Sequence, residues 1–427
     1  MRRFRFSEPN FKVSFATFVE ERRETPADVD AVVRRVVEAV RAEGLPAVLR
    51  FTSEFDKVQL EEAGLKVSEA EIEAGFEACP QSVRDAITFA ASRIRHYHER
   101  QRPADDRFTD ELGVELGWRW TSLDSVGIYV PGGRAAYPST VLMNAVPAAT
   151  AGVPRIAMVT PPGRLQVAVL AAARIAGVTE IWRVGGAQSI AALAYGAGPI
   201  KRVDKIVGPG NAYVTAAKQR VYGVVGIDAL AGPSEIVVVA DGRNDPQWIA
   251  ADLLSQAEHD PAAQAILITD DEAFATRVEA AVAEQLSTLL TREAAAQSWR
   301  AHGAIVIAPL EEAPALIDLI APEHAEFAID HPEQLADRVR HAGAIFLGRH
   351  APEAIGDYVA GSNHVLPTSR AARFSSGLSL HDFLKRTSIV KCGAAAFEAL
   401  APATIALADA EGLPAHARSA AIRLGQS

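Results

Sequence analysis

Apolar residues follow two different spacings along this chain of 427 residues. Between residues 26 and 105 they recur every three or four positions, as in VDAVVRRVVEAVRAEG and SVRDAITFAASRIRHYHER. This spacing lines one face of a helix and predicts amphipathic α-helices. From Val126 onward, short Val-rich and Ile-rich runs such as RIAMVT, EIWRV and EIVVVA alternate with Ala-rich helical stretches. That alternation predicts strand–helix–strand units, and therefore a parallel sheet.

A second series of apolar runs, AILIT, AIVIAP and AIFLG, follows the first and is also separated by helical segments. Because the chain is longer than a single hydrophobic core usually supports, we expect two α/β domains in tandem. After Ile345 the pattern breaks into GDYVAGSNHVLPTSRAARFSSGLS, which has little periodicity. A long irregular segment inside a folded enzyme is usually functional, and its aromatic, His and apolar residues argue against disorder.

Composition excludes several classes of protein. The formal net charge is −10 and no segment concentrates Lys and Arg, so we expect no nucleic-acid partner. The basic start, MRRFRFSEPNF, lacks the apolar run of a signal peptide, and no stretch of about 18 uncharged apolar residues occurs. We therefore expect a cytoplasmic protein without a membrane segment. Two cysteines, Cys79 and Cys392, are too few for a disulfide framework or a thiolate zinc site.

Three glycine-containing loops, GRAAYPSTVLMNAVPA, VGGAQSIAALAYG and VGPGNAYVTAAK, place small residues between a strand end and a helix start. Backbone amides at a helix start favour anions, so nucleotide phosphates are candidate ligands. None of the loops has the dinucleotide fingerprint GxGxxG followed by an acidic residue about 20 positions later. Ordinary tight turns explain the loops equally well at this stage.

The stretch LSQAEHDP places Gln256 and His259 three residues apart, at the end of the helical segment DPQWIAADLLSQAEH. On one helix both side chains leave the same face, and an amide oxygen and an imidazole nitrogen can both bind a divalent metal. A solvated polar helix end is the alternative.

The adjacent pair Glu323 and His324, in LIDLIAPEHAEF, follows a proline that ends a helix. In that turn the two side chains can point to different sides of a small ligand and act as two proton acceptors. A histidine that caps a helix is the alternative. Asp357, in PEAIGDYVAG, fits a metal carboxylate and also a turn-forming residue. Other histidines in charged or helical contexts, such as His98, are expected at the surface.

Gln256, His259, Asp357 and His416 would together form a mixed nitrogen and oxygen site with one formal negative charge. Zinc in such a site keeps net positive charge and accepts further neutral nitrogen ligands.

Eight motifs, taken in order, resemble the histidinol dehydrogenase family: VPGGRAAYPSTVLMNAVPA, GGAQSIAALAYG, VGPGNAYV, AGPSEIVVVAD, LSQAEHD, APEH, GDYVAGSNHVLPTSRAARFSSGL and EGLPAHA. The resemblance implies a four-electron oxidation of L-histidinol to L-histidine, through L-histidinaldehyde, with two NAD and one zinc ion per subunit. Any one motif is modest evidence, but eight in the same order are specific.

The resemblance also implies roles for individual residues. Glu323 and His324 become the catalytic acid and base pair, and the remaining assignments are zinc ligands Gln256, His259, Asp357 and His416; substrate contacts Ser234, Gln256, His259, His324, Asp357, Glu411 and His416; and NAD contacts Tyr129, Gln188 and Asn211. The family forms an intertwined homodimer whose C-terminal segment completes the partner's site. For His364 we expect a structural hydrogen bond.

We therefore expect an α/β fold with two Rossmann-like parallel-sheet domains, an N-terminal helical arm and a small C-terminal helical tail. The bounds are an arm over 1–25, a first domain over 26–125 and 236–375 with the metal and catalytic residues, a second domain over 126–235 that binds NAD, and a dimerisation segment over 376–427. A zinc-dependent hydrolase, whose nucleophile is a metal-bound water, is the principal alternative. A non-enzymatic amino-acid-binding protein is a third class.

Overall fold

The computed structural model describes residues 1–21, 27–132, 137–163, 165–230 and 232–426. Residues 133–136 of the first glycine loop and part of the expected N-terminal arm therefore lie outside the described residues. The chain divides into two compact units: the first comprises Met1–Gln101 and Leu123–Phe383, and the second comprises Arg102–Ser122 and Leu384–Ser427.

Among the described residues, the strands in chain order are β1 (Arg2–Arg5), β2 (Asp106–Thr109), β3 (Glu115–Ser122), β4 (Ser125–Tyr129), β5 (Arg155–Thr160), β6 (Glu180–Arg183), β7 (Lys205–Val207), β8 (Gly226–Ile227), β9 (Glu235–Ala240), β10 (Gln264–Thr269), β11 (Ala304–Ile307), β12 (His324–Ala328), β13 (Ala344–Leu347) and β14 (Leu384–Lys391).

The α-helices are α1 (Phe11–Glu20), α2 (Ala27–Glu43), α3 (Leu45–Phe51), α4 (Glu62–Leu65), α5 (Glu69–Ala78), α6 (Gln81–Glu99), α7 (Pro138–Ala151), α8 (Val167–Ala176), α9 (Gly186–Tyr195), α10 (Ala212–Val221), α11 (Pro246–Ala257), α12 (Glu272–Thr288), α13 (Arg292–His302), α14 (Ala313–Ile320), α15 (Glu333–Ala336), α16 (Glu353–Tyr358), α17 (Ala394–Ala410) and α18 (Pro414–Ala421). A π-helical turn, Thr52–Asp56, continues α3. The prediction of helices before residue 105 is confirmed.

A six-stranded sheet in the first unit has the order β1-β11-β10-β9-β12-β13, and its neighbouring strands are parallel. Successive residues of β9 face opposite sides of it. Ile236 and Val238 pack with side chains of α11, α12 and α13, whereas Val237 and Val239 pack with those of α1 and α14. Full burial of one such side chain contributes about 1.5–3 kcal/mol, so helices on both faces stabilise the sheet and explain its continuous apolar runs.

A five-stranded sheet, also in the first unit, has the order β6-β5-β4-β7-β8 and parallel neighbours. Its core includes side chains from α2, α3, α9 and α10. The expected α/β fold with two parallel sheets is confirmed. The N-terminal segment also supplies an edge strand, because β1 pairs with β11 along Arg2–Arg5.

The second unit contains a three-stranded antiparallel sheet in the order β14-β3-β2. Helices α17 and α18 pack against each other in the same unit. No helix in the part of the chain that the structure describes is long and apolar enough to cross a bilayer.

Candidate active site

The expected catalytic residues Glu323 and His324, and the expected substrate contact Ser234, lie at the amino ends of strands in the six-stranded sheet. Ser234 directly precedes β9, and Glu323 directly precedes β12. The two strands are parallel neighbours with His324 opposite Ile236, so Glu323 and His324 lie beside the start of β9. The prediction that His324 lies in a turn is wrong, because His324 is the first residue of β12. The turn consists of Ala321, which has a φ of 52°, and Pro322.

The imidazole of His324 is buried, and its two nitrogen atoms have different surroundings. Its Nδ1 donates a hydrogen bond to the carbonyl oxygen of Glu235, at 3.1 Å. A carbonyl can only accept, so Nδ1 carries a proton and, in the neutral ring, Nε2 carries the lone pair. Nε2 has no hydrogen-bond partner among the described residues. It lies 3.7 Å from Asp357 Oδ1 and 4.0 Å from Glu353 Oε1. The backbone therefore fixes the tautomer that leaves Nε2 able to accept a proton.

Carboxyl groups surround this ring. Burial alone would lower the pKa of His324, but Glu323 and Asp357 outweigh it and raise that pKa to about 10. The pocket therefore favours a positive charge at this position, which either a proton or a metal ion supplies.

Glu323 lies on the Nδ1 side of His324, with its Oε2 atom 3.8 Å from Nδ1. The same oxygen accepts a hydrogen bond from the backbone N–H of Glu235, at 3.1 Å. Burial raises the pKa of Glu323 to about 7, against the opposing effect of His324. A carboxyl group with a pKa near neutrality can both take and return a proton at physiological pH.

Glu353 and Asp357 lie one turn apart on α16. Glu353 is buried, its Oε2 accepts a hydrogen bond from Ser255 Oγ at 3.1 Å, and its Oε1 has no partner in the described part of the chain. Burial raises the pKa of Glu353 to about 8. Burial alone would also raise the pKa of Asp357, but the nearby His324 and His364 outweigh burial and lower that pKa to about 2. Asp357 is therefore the ionised member of the pair.

Gln256 and His259 lie at the end of α11. The prediction that one helix carries both is wrong by two residues, because α11 ends at Ala257 and His259 lies in the turn that follows. The turn nevertheless brings Gln256 Nε2 to 3.2 Å from His259 Nδ1. Gln256 Oε1 is buried without a partner among the described residues. Desolvation of the ring lowers the pKa of His259, which favours the neutral, metal-binding form.

These groups match the donors that a borderline divalent metal prefers. Within the described ranges, a three-residue cluster of possible metal ligands consists of His324, Glu353 and Asp357, whose donor atoms lie within 4.8 Å of one another. His259 is close enough to Asp357 and His324 for their charges to affect its pKa. The unpaired amide oxygen of Gln256 adds a neutral oxygen donor. This nitrogen and oxygen set, with one ionised carboxylate, fits zinc and similar ions.

Residues from the glycine loops meet at the carboxyl end of the five-stranded sheet. Tyr129 is the last residue of β4, and its hydroxyl accepts a hydrogen bond from Gly186 N at 3.4 Å. Gln188 lies in the first turn of α9, and Asn211 caps α10 by accepting from Tyr213 N and Val214 N at 3.1 and 3.2 Å. The carboxyl end of a parallel sheet is the usual place for a nucleotide.

Close backbone packing explains one of the glycines in these loops. Gly208 has a φ of 109°, and a Cβ atom there would lie 2.4 Å from the carbonyl oxygen of Tyr129. Any other residue would force the loop away from β4.

The remaining predicted residues have the following positions. His364 Nδ1 donates to the carbonyl oxygen of Asp357 at 3.0 Å, as we expected of a structural histidine. Glu411 is the C-cap of α17 and His416 lies on α18, both exposed and both in the second unit.

Sequence reasoning missed Glu353 and Asp56. Glu353 stands four residues before Asp357, and this helical spacing of two acids could have identified it. Asp56 accepts a hydrogen bond from Gln188 Nε2, at 3.2 Å. Nothing in the sequence around Asp56 could have indicated this contact, because Gln188 is 132 residues away.

Comparison with known proteins shows the family to which the chain belongs. The family model for histidinol dehydrogenase matches residues 19–424. The chain is 73% identical to the histidinol dehydrogenase of Caulobacter vibrioides over 99% of both chains, and 60% identical to that of Mesorhizobium japonicum over 98% of both. A crystal structure of histidinol dehydrogenase from Elizabethkingia anophelis superposes with a TM-score of 0.93 at 36% identity, covering 100% of this chain and 98% of that one.

These matches give no support to the hydrolase or to the amino-acid-binding alternative. The order of the motifs, the two parallel sheets and the full-length similarity all indicate the same family. The chain therefore belongs to the histidinol dehydrogenase family, the NAD-dependent oxidoreductases of histidine biosynthesis.

Proposed function

We propose that this enzyme oxidises L-histidinol to L-histidine in two hydride transfers at one zinc-containing site, with two NAD and L-histidinaldehyde as the intermediate. The observation that carries the proposal is the imidazole of His324: its Nδ1 is held by the carbonyl oxygen of Glu235, and its buried Nε2 is directed at the potential metal ligands. The names of the similar proteins support the choice of substrate.

Gln256, His259, Asp357 and His416 would hold the zinc. When bound, the ion would supply an anchor for the amine and imidazole of the substrate, so that the carbinol carbon is fixed for hydride transfer. The unpaired Gln256 Oε1 and the ionised Asp357 support this set.

In the first oxidation, Nε2 of His324 takes the hydroxyl proton of L-histidinol while a hydride leaves the carbinol carbon. This role needs the neutral ring, which a bound metal ion would favour by supplying, in place of a proton, the positive charge that the surrounding carboxyl groups stabilise. This step converts the alcohol and one NAD⁺ into the aldehyde, NADH and a proton. The hydrogen bond from Nδ1 to Glu235 stabilises the imidazolium that forms, because a carbonyl oxygen accepts more strongly from a charged donor.

In the second oxidation, Glu323 removes a proton from water as the water adds to the aldehyde carbon, and the imidazolium of His324 returns its proton to the carbonyl oxygen, which gives the hydrate. The hydrate then loses a hydride to a second NAD⁺, with His324 again accepting a hydroxyl proton, and L-histidine forms. The pKa of Glu323 near 7 supports this role, since the group can be unprotonated before the addition and protonated after it.

We also propose that two copies of the chain form a homodimer in the cytoplasm, with His416 and Glu411 of one copy completing the site of the other. Both residues are exposed on the second unit. That unit also exposes large apolar side chains, among them Val390 at 70%, Leu407 at 66% and Ile422 at 58%. Exposed apolar residues of this kind support an interface.

Glu323→Gln tests the division between the two oxidations. The amide cannot take a proton from water, so oxidation of supplied L-histidinaldehyde should fall by about 10²-fold or more, the usual contribution of a general base. Oxidation of L-histidinol to the aldehyde, measured in a single turnover, should fall much less because His324 serves that step. An equal loss with both substrates would contradict the separate role of Glu323.

A further inference from the structure

A carboxylate from a distant part of the chain holds the side chain of Gln188. Gln188 is 1% exposed, and its Nε2 donates to Asp56 Oδ2 at 3.2 Å. Asp56 is the last residue of the π-helical turn Thr52–Asp56, and the next residue, Lys57, ends that turn in the left-handed region with a φ of 58°. Single π-helical turns are rare and often occur at functional sites. The turn therefore brings an acidic group to the first turn of α9.

The chemistry of this contact fixes the orientation of the amide. An ionised carboxylate can only accept hydrogen bonds, so Gln188 must present its NH₂ group to Asp56. Its Oε1 then faces the other way, buried and without a partner among the described residues. A Cβ atom at Gly186 would lie 2.8 Å from Oε1, so the glycine keeps the space beside this oxygen open. A buried acceptor of this kind costs free energy until a donor reaches it.

The surroundings of this oxygen belong to the nucleotide end of the sheet. Gly186 N contacts the Tyr129 hydroxyl, and burial raises the pKa of Tyr129 to about 12, so the hydroxyl stays protonated. The negative charge of Asp56 acts on Tyr129 in the same direction. Tyr129, Gln188 and Asp56 therefore form one polar group at the start of α9, after β6.

We propose that Asp56 is a positioning residue for the dinucleotide: it holds the Gln188 amide so that Oε1 accepts a hydrogen bond from an O–H or N–H donor of NAD. Without Asp56, the amide can rotate and present its NH₂ group to the same donor. The inference rests on the proposed function, because it takes Gln188 as the NAD contact that the resemblance to the histidinol dehydrogenase family implies.

The test measures the Kd of NADH by fluorescence titration of the zinc-loaded dimer, together with KM for NAD, KM for L-histidinol and kcat. Asp56→Ala should raise the Kd of NADH and the KM for NAD about tenfold, the effect of one well-placed hydrogen bond. The KM for L-histidinol, and kcat at saturating NAD, should stay near wild type. Asp56→Asn should recover most of the affinity, since its amide oxygen still accepts from Gln188. A loss as large as that of Asp56→Ala would overturn the proposal.

Glu54→Ala is the matched control. Glu54 belongs to the same π-helical turn but is exposed and pairs with Arg35, at 2.8 Å. The substitution removes a carboxylate from this turn without touching Gln188, so the Kd of NADH should not change. If Asp56→Ala does not fold, Asp56→Ser, which shortens the reach to Gln188, replaces it with the same expected weakening.

Gln188→Ala separates failure of this inference from failure of the proposed function. If Gln188→Ala leaves NADH binding unchanged, the assignment of Gln188 to the cofactor is wrong and the inference falls with it. If Gln188→Ala weakens binding, the double variant Asp56→Ala/Gln188→Ala should bind NADH as Gln188→Ala does, because Asp56 acts through Gln188. Fully additive losses in that cycle would overturn the inference and leave the cofactor assignment intact.

Discussion

At the scale of single residues, the chemistry of the site depends on unpaired buried atoms. Gln256 Oε1, Glu353 Oε1 and His324 Nε2 are all buried without a hydrogen-bond partner in the described residues. Buried polar atoms are normally paired, and the exceptions call for an explanation. A bound metal and a substrate with an amine, an imidazole and a hydroxyl group would satisfy all three.

Removal of the metal tests this interpretation. Prolonged treatment with a chelator should abolish turnover, and zinc should restore it, with manganese or cobalt as partial substitutes because oxygen donors are present. The Kd of NADH should stay within about twofold of the untreated value. The NAD contacts that the resemblance implies, Tyr129, Gln188 and Asn211, lie at the five-stranded sheet, whereas the metal ligands of the first unit lie at the six-stranded sheet. Full activity in protein shown by elemental analysis to be metal-free would contradict the proposed role of zinc.

At the scale of elements, the sequence predicted strands and helices well because both faces of each parallel sheet are buried. It was less successful at the ends of elements. His259 lies past the end of α11, and His324 is the first residue of β12. No Gly or Pro stands at either boundary residue to indicate it in the sequence. Tertiary partners account for other errors. His98, expected at the surface, is buried between Gln101 Oε1 at 2.9 Å and Asn363 Nδ2 at 3.4 Å.

An ion pair between elements fixes the loop after β7. Lys218 on α10 pairs with Asp228, and both are buried. Lys218 Nζ donates to the carbonyl oxygen of Gly208 at 3.0 Å, and Asp228 Oδ2 accepts from Gly208 N at 2.8 Å. The pair therefore holds both backbone groups of the glycine that packs on Tyr129.

Lys218→Met should lower the free energy of unfolding by roughly 3 kcal/mol, because it leaves Asp228 buried without its counter-charge. The measurement is the midpoint of urea denaturation. Lys201→Met, at an exposed position, is the control and should change stability by less than about 0.5 kcal/mol. If Lys218→Met is no less stable than this control, the pair does not stabilise the loop.

At the scale of the whole molecule, the sequence pattern indicated two α/β domains, and the family resemblance implied a C-terminal dimerisation segment. The structure assigns residues 384–427 to a second unit together with 102–122. Hydrophobic periodicity could not predict that partnership, because it depends on the pairing of β14 with β3 across more than 250 residues of chain. The assignment of His416 to a site shared between subunits stays a prediction.

Co-expression of His259→Ala and His416→Ala chains tests the shared site. If His416 acts in the partner's site, a mixed dimer has one site that contains both substitutions and one site that contains neither. Random pairing makes about half of the dimers mixed, so activity should reach about a quarter of wild type. Each mutant homodimer should be nearly inactive. Purified mixed dimers no more active than those homodimers would place His416 in the site of its own chain.

One site should carry out two successive oxidations of the same molecule. With limiting L-histidinol and excess NAD, the zinc-loaded enzyme should form two NADH for each L-histidinol consumed, measured by the growth of the NADH absorbance band. L-histidine should appear in equal amount to the L-histidinol lost, without accumulation of the aldehyde. One NADH for each L-histidinol, with free L-histidinaldehyde as the product, would show that this site does not carry out the second oxidation.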